Sequence, residues 1–162
     1  MTSIIIFSSN NKTKFISEII QEKIYADIIE IKDLNKKRGF LGNIQNNYNA
    51  LRSNKTNIQP ERIDLQGYDL IIIGSPSTFG GISPAISTFI DNNSFKNKNI
   101  IMFTTTNSRQ GYDVLKNMKK KLESKGGIIV NSFIMRVNNK SEDELKINTL
   151  KIIKDLDLDL YS

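Results

Sequence analysis

Three short polar segments hold the side chains best placed for chemistry. Ser8, Ser9, Asn10, Asn11, Lys12 and Thr13 follow the apolar run Ile4–Phe7, GSPSTFGG at 74–81 follows Leu70–Ile73, and TTTNSRQG at 104–111 follows Ile100–Phe103. Each combines hydroxyls, amides or glycines with a chain reversal, a composition that offers many neutral hydrogen-bond donors. The first opens directly into helical spacing at Phe15, Ile16, Ile19, Ile20 and Ile24. A strand feeding a helix through such a loop leaves backbone N–H groups unpaired at the positive end of the helix dipole. That arrangement is suited to a phosphate. Three such loops are expected to converge on one ligand.

The rest of the composition narrows the chemistry. The chain has 162 residues, no cysteine and no histidine. Histidine-dependent triads, Cys/His zinc sites and cysteine-ligated iron–sulfur clusters are therefore excluded. Chemistry must come from a bound cofactor, from carboxylates and lysines, or from hydroxyls. No metal site and no catalytic side chain stands out. The N-terminus lacks the basic residues and long apolar run of a signal peptide, and no stretch approaches the roughly 20 apolar residues of a membrane span. The expectation is one cytoplasmic domain spanning 1–162. The net charge of +6 gathers in Lys32, Lys36, Lys37 and Arg38, and in Lys116, Lys119, Lys120 and Lys121. In a chain this rich in lysine, such clusters read first as solvated faces.

The loops must be positioned by alternating strands and helices. Strands are expected near 3–7, 27–31, 69–74, 99–104 and 127–136, and helices near 12–24, 44–53, 84–91, 111–125 and 142–155. Strands one, three and four are almost unbroken Ile, Leu, Met and Phe, as parallel strands covered on both faces require. The fifth, IIVNSFIMRV, is more broken and suits an edge. Ser83 before Pro84 gives a helix start, and Ser141 with Glu144 has capping-box spacing. Five strands with intervening helices predict an α/β three-layer doubly wound sheet in the order 2-1-3-4-5. Segment 32–66 is irregular, and DLDLDLYS at 155–162 is expected to pack loosely or fray.

These motifs together resemble the flavodoxin family, and within it the short archaeal and clostridial flavodoxin-like proteins. The resemblance covers most of 3–137 and rests on SSNNKT, KDLNKKRGFLGNIQNNYNALR, YDLIIIGSPSTFGGISPAISTFI and TTTNSRQG. It implies an FMN-binding, low-potential electron-transfer protein. Ser8, Ser9, Asn10, Asn11, Lys12 and Thr13 would then hold the 5′-phosphate. Pro76, Ser77, Thr78, Phe79, Gly80 and Gly81 would lie beside the isoalloxazine, with a backbone carbonyl near Phe79–Gly81 facing its N5. Thr104, Thr105, Thr106, Asn107 and Gly111 would bound the other side, with Tyr112 as a second ring-face aromatic beside Phe79. The chain departs from the family pattern at Asn11, where glycine is usual and positive φ is expected, and at Thr78, where an aromatic is usual. Phe79 either stacks on the flavin or fills the core.

Other classes compete less well. Lys12–Thr13 mimics the end of a phosphate-binding kinase loop, but both glycines of GxxxxGK[ST] are missing. No GxGxxG follows a strand. The alternatives kept are an FMN-dependent reductase of a quinone or nicotinamide substrate, and a flavodoxin-like binding module that has lost FMN. Carriers of this family are commonly acidic, so a basic chain points to redox partners with acidic docking surfaces. The sequence offers no aromatic interleaving to suggest nucleic acid, and no membrane segment.

Overall fold

The computed structural model describes residues 2–8, 10–35 and 55–161. Ser9 and the helix expected near 44–53 lie outside these residues, as do Lys36, Lys37 and Arg38. The element order is β1 (Ser3–Ser8), α1 (Asn11–Ile24), β2 (Asp27–Asp33), β3 (Ile58–Gln59), β4 (Leu70–Thr78), β5 (Gly81–Ile82), α2 (Pro84–Asn92), β6 (Asn99–Thr106), α3 (Gly111–Ser124), β7 (Ile128–Arg136) and α4 (Glu142–Asp155), then a 3₁₀ turn, Leu158–Tyr161.

Strands β2, β1, β4, β6 and β7 are parallel neighbours in that order, which is the expected 2-1-3-4-5 arrangement. Among the described residues the sheet nevertheless has seven strands, not five. Two-residue β3 pairs antiparallel with the end of β2, and two-residue β5 folds back on the end of β4. Neither is long enough to show a hydrophobic period in sequence.

Alternating side chains feed two cores. Ile4, Ile6, Ile71, Ile73, Ile100 and Met102 face Ile86, Phe89 and Ile90 of α2 and Val114, Met118 and Leu122 of α3. On the opposite face, Ile5, Ile72, Ile101 and Phe103 pack with Ile16, Ile20 and Ile24 of α1 and Leu145 and Ile153 of α4. Phe103 stacks on Phe133 with ring centroids 5.0 Å apart. A Cβ on Gly74 would collide with the Phe103 ring, so this close strand packing requires glycine. Leu158 is fully buried in the second core, so the C-terminal segment is docked where fraying was expected. Its alternating aspartates hide that anchor from a reading of hydropathy.

β7 is the edge strand, as its broken pattern suggests. Its register with β6 slips between Ile100 and Ile101, where Ile129 and then Asn131 are the partners and Val130 is the extra residue. Such a bulge bends and twists an edge.

Helix ends follow their sequence signals. Ser83 Oγ accepts from Ile86 N–H ahead of Pro84, and Ser141 with Glu144 closes a full capping box. Hydrogen bonds from the Ser141 N–H and hydroxyl hold the Glu144 carboxyl below its ordinary pKa. A folded pKa lowered this way contributes stability above the unfolded value and loses it as pH falls through the folded value. Ser141→Ala is expected to cost about 1 kcal/mol in urea unfolding. The stability gap between the wild type and Glu144→Gln should be widest at neutral pH and close as the carboxylate is protonated.

Candidate functional site: three loops at the carboxyl ends of β1, β4 and β6

The register places Phe7, Gly74 and Phe103 side by side across three neighbouring strands. The segments that follow them therefore emerge together at one edge of the sheet, beside the point where the strand order reverses. This is where open α/β sheets bind ligands.

The first loop enters α1 through Asn10. Its Oδ1 accepts from Lys12 N–H at 2.9 Å and from Thr13 N–H at 3.4 Å. Asn10 thus caps the helix itself and occupies two of the donors expected for a phosphate. Asn11 is the first helical residue and is not among the positive-φ positions. The expected left-handed turn there is corrected: Asn10, extended at φ −145°, makes the bend instead. The Asn10 amide nitrogen and Lys12 Nζ have no hydrogen bond among the described residues.

The hydroxyls divide into buried and accessible sets. Ser8 Oγ lies 2.6 Å from Ser83 Oγ, and Thr13 Oγ1 lies 2.7 Å from Thr105 Oγ1. All four residues are buried. These pairs tie the loops to one another rather than pointing outward. Ser83 further donates its N–H to Ser75 Oγ, which bonds the Pro76 carbonyl. Neither Ser83 nor Ser75 is among the expected site residues: in sequence Ser83 reads as a helix cap only, and nothing signals its second partner.

The second and third loops are shorter than the sequence suggests. β4 continues to Thr78, so Pro76, Ser77 and Thr78 are strand residues, and only Phe79 and Gly80 turn the chain into β5. β6 likewise runs through Thr104, Thr105 and Thr106, all buried. The exposed turn is Asn107–Gln110. Threonine is β-branched and fits a pleated strand as long as its hydroxyl finds a partner. Thr106 Oγ1 accepts Ser108 N–H at 3.1 Å; Thr104 Oγ1 is buried without a partner.

At the hairpin tip Phe79 and Gly80 have φ of 49° and 77°. Two consecutive positive φ values are what a two-residue hairpin turn of the I′ type demands, and an aromatic residue is costly at the first. The Phe79 ring is 94% exposed, which rules out core filling. A Cβ at Gly80 would sit 2.7 Å from Gln110 Oε1, so the hairpin tip and the third loop touch. Tyr112, in the first turn of α3, is 72% exposed. Gly111 is buried, and a Cβ there would meet Ile134 and Thr106. It admits close helix packing and faces no opening. Arg109, exposed in the Asn107–Gln110 turn, is a further cation at this edge that is not among the expected site residues.

The residues present suit FMN. A lysine, a free amide and the dipole of α1 answer a phosphate dianion, and Phe79 and Tyr112 are two exposed aromatic residues on the neighbouring loops. Among the described residues no cluster of acidic side chains could hold a metal ion, and no helix is long and apolar enough to cross a membrane.

Fold and site together define a flavodoxin-like α/β protein. The NADPH-dependent FMN reductase family matches residues 2–141, and the chain belongs to that family. That membership supports FMN as the cofactor and replaces the narrower resemblance to short flavodoxins. No curated protein matches the chain. Among solved structures, a flavoprotein from Lactobacillus acidophilus in complex with FMN is 23% identical, with a TM-score of 0.64 over 83% of this chain and 92% of that chain. Oxidised flavodoxin 1 from Bacillus cereus is 18% identical, with a TM-score of 0.61 over 98% of each chain. An azoreductase from Bacillus anthracis is 11% identical, with a TM-score of 0.60 over 98% of this chain and 99% of that one.

The hydroxyl pair beneath the site can be tested directly. Thr105→Val strands the Thr13 hydroxyl in a buried place and should cost about 1–3 kcal/mol. The double variant Thr13→Val/Thr105→Val should cost less than the sum of the single changes in a urea-unfolding cycle. Strict additivity would show that the two hydroxyls do not bond.

Proposed function

We propose that this protein binds FMN at the carboxyl ends of β1, β4 and β6 and works as an FMN-dependent reductase supplied by NADPH. The observation that supports this most is the family match across residues 2–141, which spans all three loops. FMN, when bound, supplies the chemistry by accepting a hydride and passing the electrons to an acceptor.

The chain's residues do the rest. Lys12 Nζ and the Asn10 amide, with the positive end of α1, hold the phosphate, while Asn10 Oδ1 keeps that helix start in shape. Ser9 joins them in the first loop. Pro76, Ser77, Thr78 and the Phe79–Gly81 turn border the ring on one side, and Thr106, Asn107 and Tyr112 border it on the other. Thr13, Thr105, Ser8 and Ser83 position these segments through their buried hydroxyl pairs. Positive φ at Phe79 and Gly80 makes the hairpin turn tight; its backbone would border the ring, where a carbonyl would accept a hydrogen bond from the flavin N–H.

A second reading, a one-electron carrier, is favoured by the likeness to a flavodoxin over nearly the full length of both chains. The two readings part on one measurement. Oxidation of NADPH by the FMN-loaded protein, followed by absorbance under a suitable acceptor, is expected to proceed catalytically. Full activity toward a chemical reductant with no turnover of NADPH would favour the carrier.

Phosphate recognition has its own test. FMN should bind more tightly than riboflavin, and Lys12→Ala should weaken FMN by on the order of tenfold while leaving riboflavin unchanged, as loss of one charge-assisted contact requires. Flavin fluorescence reads both titrations. Equal binding of the two flavins would remove the phosphate from the first loop, and no binding of either would leave a scaffold without its cofactor.

A further inference from the structure

Two grooves run along the crevice between α2 and α3 on the face away from α1. The upper one, about 570 Å³, begins at the hairpin that carries Phe79 and is lined by Lys120 and Lys121 above a floor that includes Ile82 and Pro84. The lower one, about 970 Å³, is lined by Arg62, Lys96, Lys98 and Lys125, with Asp64 and Asp91 as its acidic groups. They meet where Lys121 Nζ bonds Asp91 Oδ1 at 2.7 Å. The two grooves thus gather six basic side chains against two acidic ones, the larger part of a net charge of +6.

This seam differs from a scatter of solvated lysines. Several of its cations are fixed by the fold: Lys98 Nζ donates to the Gln66 and Tyr68 carbonyls, and Lys125 Nζ donates to the Asp91 carbonyl. Lys96 and Lys120 are exposed and make no ion pair among the described residues. A concave seam in which positive charges outnumber negative ones, several of them fixed, focuses the field outward and steers an oppositely charged partner. The seam also carries an apolar contact at its upper end, the exposed Phe79 ring.

We infer that the α2–α3 seam is the docking surface for an acidic partner protein, seated with its edge against the Phe79 hairpin. The orientation relative to the cofactor rests on the flavin reading above; the docking itself does not. A protein fits better than a nucleic acid. Two carboxylates interrupt the lower groove where a phosphate backbone would need uninterrupted cations, five of the six cations are lysine rather than arginine, and one aromatic ring makes no stacking row. Docking here places the partner beside the hairpin tip, which lines the upper groove and, in the flavin reading above, borders the ring.

The test is calorimetric titration of the FMN-loaded protein with the soluble domain of cytochrome b5, an acidic probe, and with the basic cytochrome c. Binding of the acidic probe is expected at low salt and should weaken by on the order of tenfold or more as salt rises. Lys96→Glu/Lys120→Glu should weaken it by a similar factor. Lys23→Glu/Lys151→Glu makes the same charge change on exposed positions of α1 and α4 and should leave it near the wild-type value. Equal loss in both double variants would show that net charge, not the seam, is recognised, and would overturn the proposal. So would absence of binding, preference for cytochrome c, or tighter binding of a single-stranded RNA oligonucleotide than of the acidic protein. FMN affinity, read separately by flavin fluorescence, should be the same in all variants. Failure of the wild type to bind FMN would overturn the flavin reading and leave the docking titration interpretable on its own.

Discussion

The carboxyl ends of β1 and β6, and β4 as far as Pro76, are buried, and the arrangement of the candidate site follows from that constraint. These strands lie inside a sheet covered on both faces, so a switch from isoleucine to polar residues happens before the chain reaches solvent. A buried hydroxyl without a partner costs on the order of 1–3 kcal/mol. The chain meets this by pairing hydroxyls across strands and helix starts: Ser8 with Ser83, and Thr13 with Thr105. Each bond joins segments far apart in sequence, so the loops are fixed relative to one another before any ligand arrives. Thr104 is the exception, with its hydroxyl enclosed and unmatched.

Much of the fold is legible from hydropathy because the five parallel strands are long and their helices have marked starts. The unbroken apolar runs, the broken edge strand and the caps at Ser83 and Ser141 all correspond to features of the structure. What escapes is structure made by polar residues. Ser75 to Thr78 and Thr104 to Thr106 look like loop because they are hydrophilic, yet their backbones extend the sheet ladders, and the Ser75 and Thr106 hydroxyls bond neighbours one and two residues away. The two-residue strands β3 and β5 escape for a different reason, being shorter than any period. Leu158 escapes because its neighbours are charged.

The candidate site is legible as a place more than as a set of contacts. Three loops at neighbouring strand ends can be read from the order of runs alone. Which atoms are free cannot, because side chains compete for the same donors. Asn10 takes the N–H groups of Lys12 and Thr13 for its own cap, and Asn11 becomes an ordinary helical residue. Phe79 shows the opposite case. A composition-based reading leaves its ring inside or outside, and the hairpin geometry alone decides that it stands in solvent.

The bulge at Val130 fixes the phase of the edge strand. Before it, Ile129 faces the α2–α3 core; after it, Phe133 and Met135 face the α1–α4 core and Ile134 the other. The bulge takes up that extra residue; strict alternation over the same residues would carry Phe133 to the wrong side and separate it from Phe103. Loss of Val130 would leave a regular ladder with the same faces inward, whereas a residue gained or lost elsewhere along the strand, with no bulge to take it up, would turn the rest of the strand over. The odd residue is the hinge of that parity, and it also keeps an open edge from presenting a flat, regular ladder to a neighbouring chain.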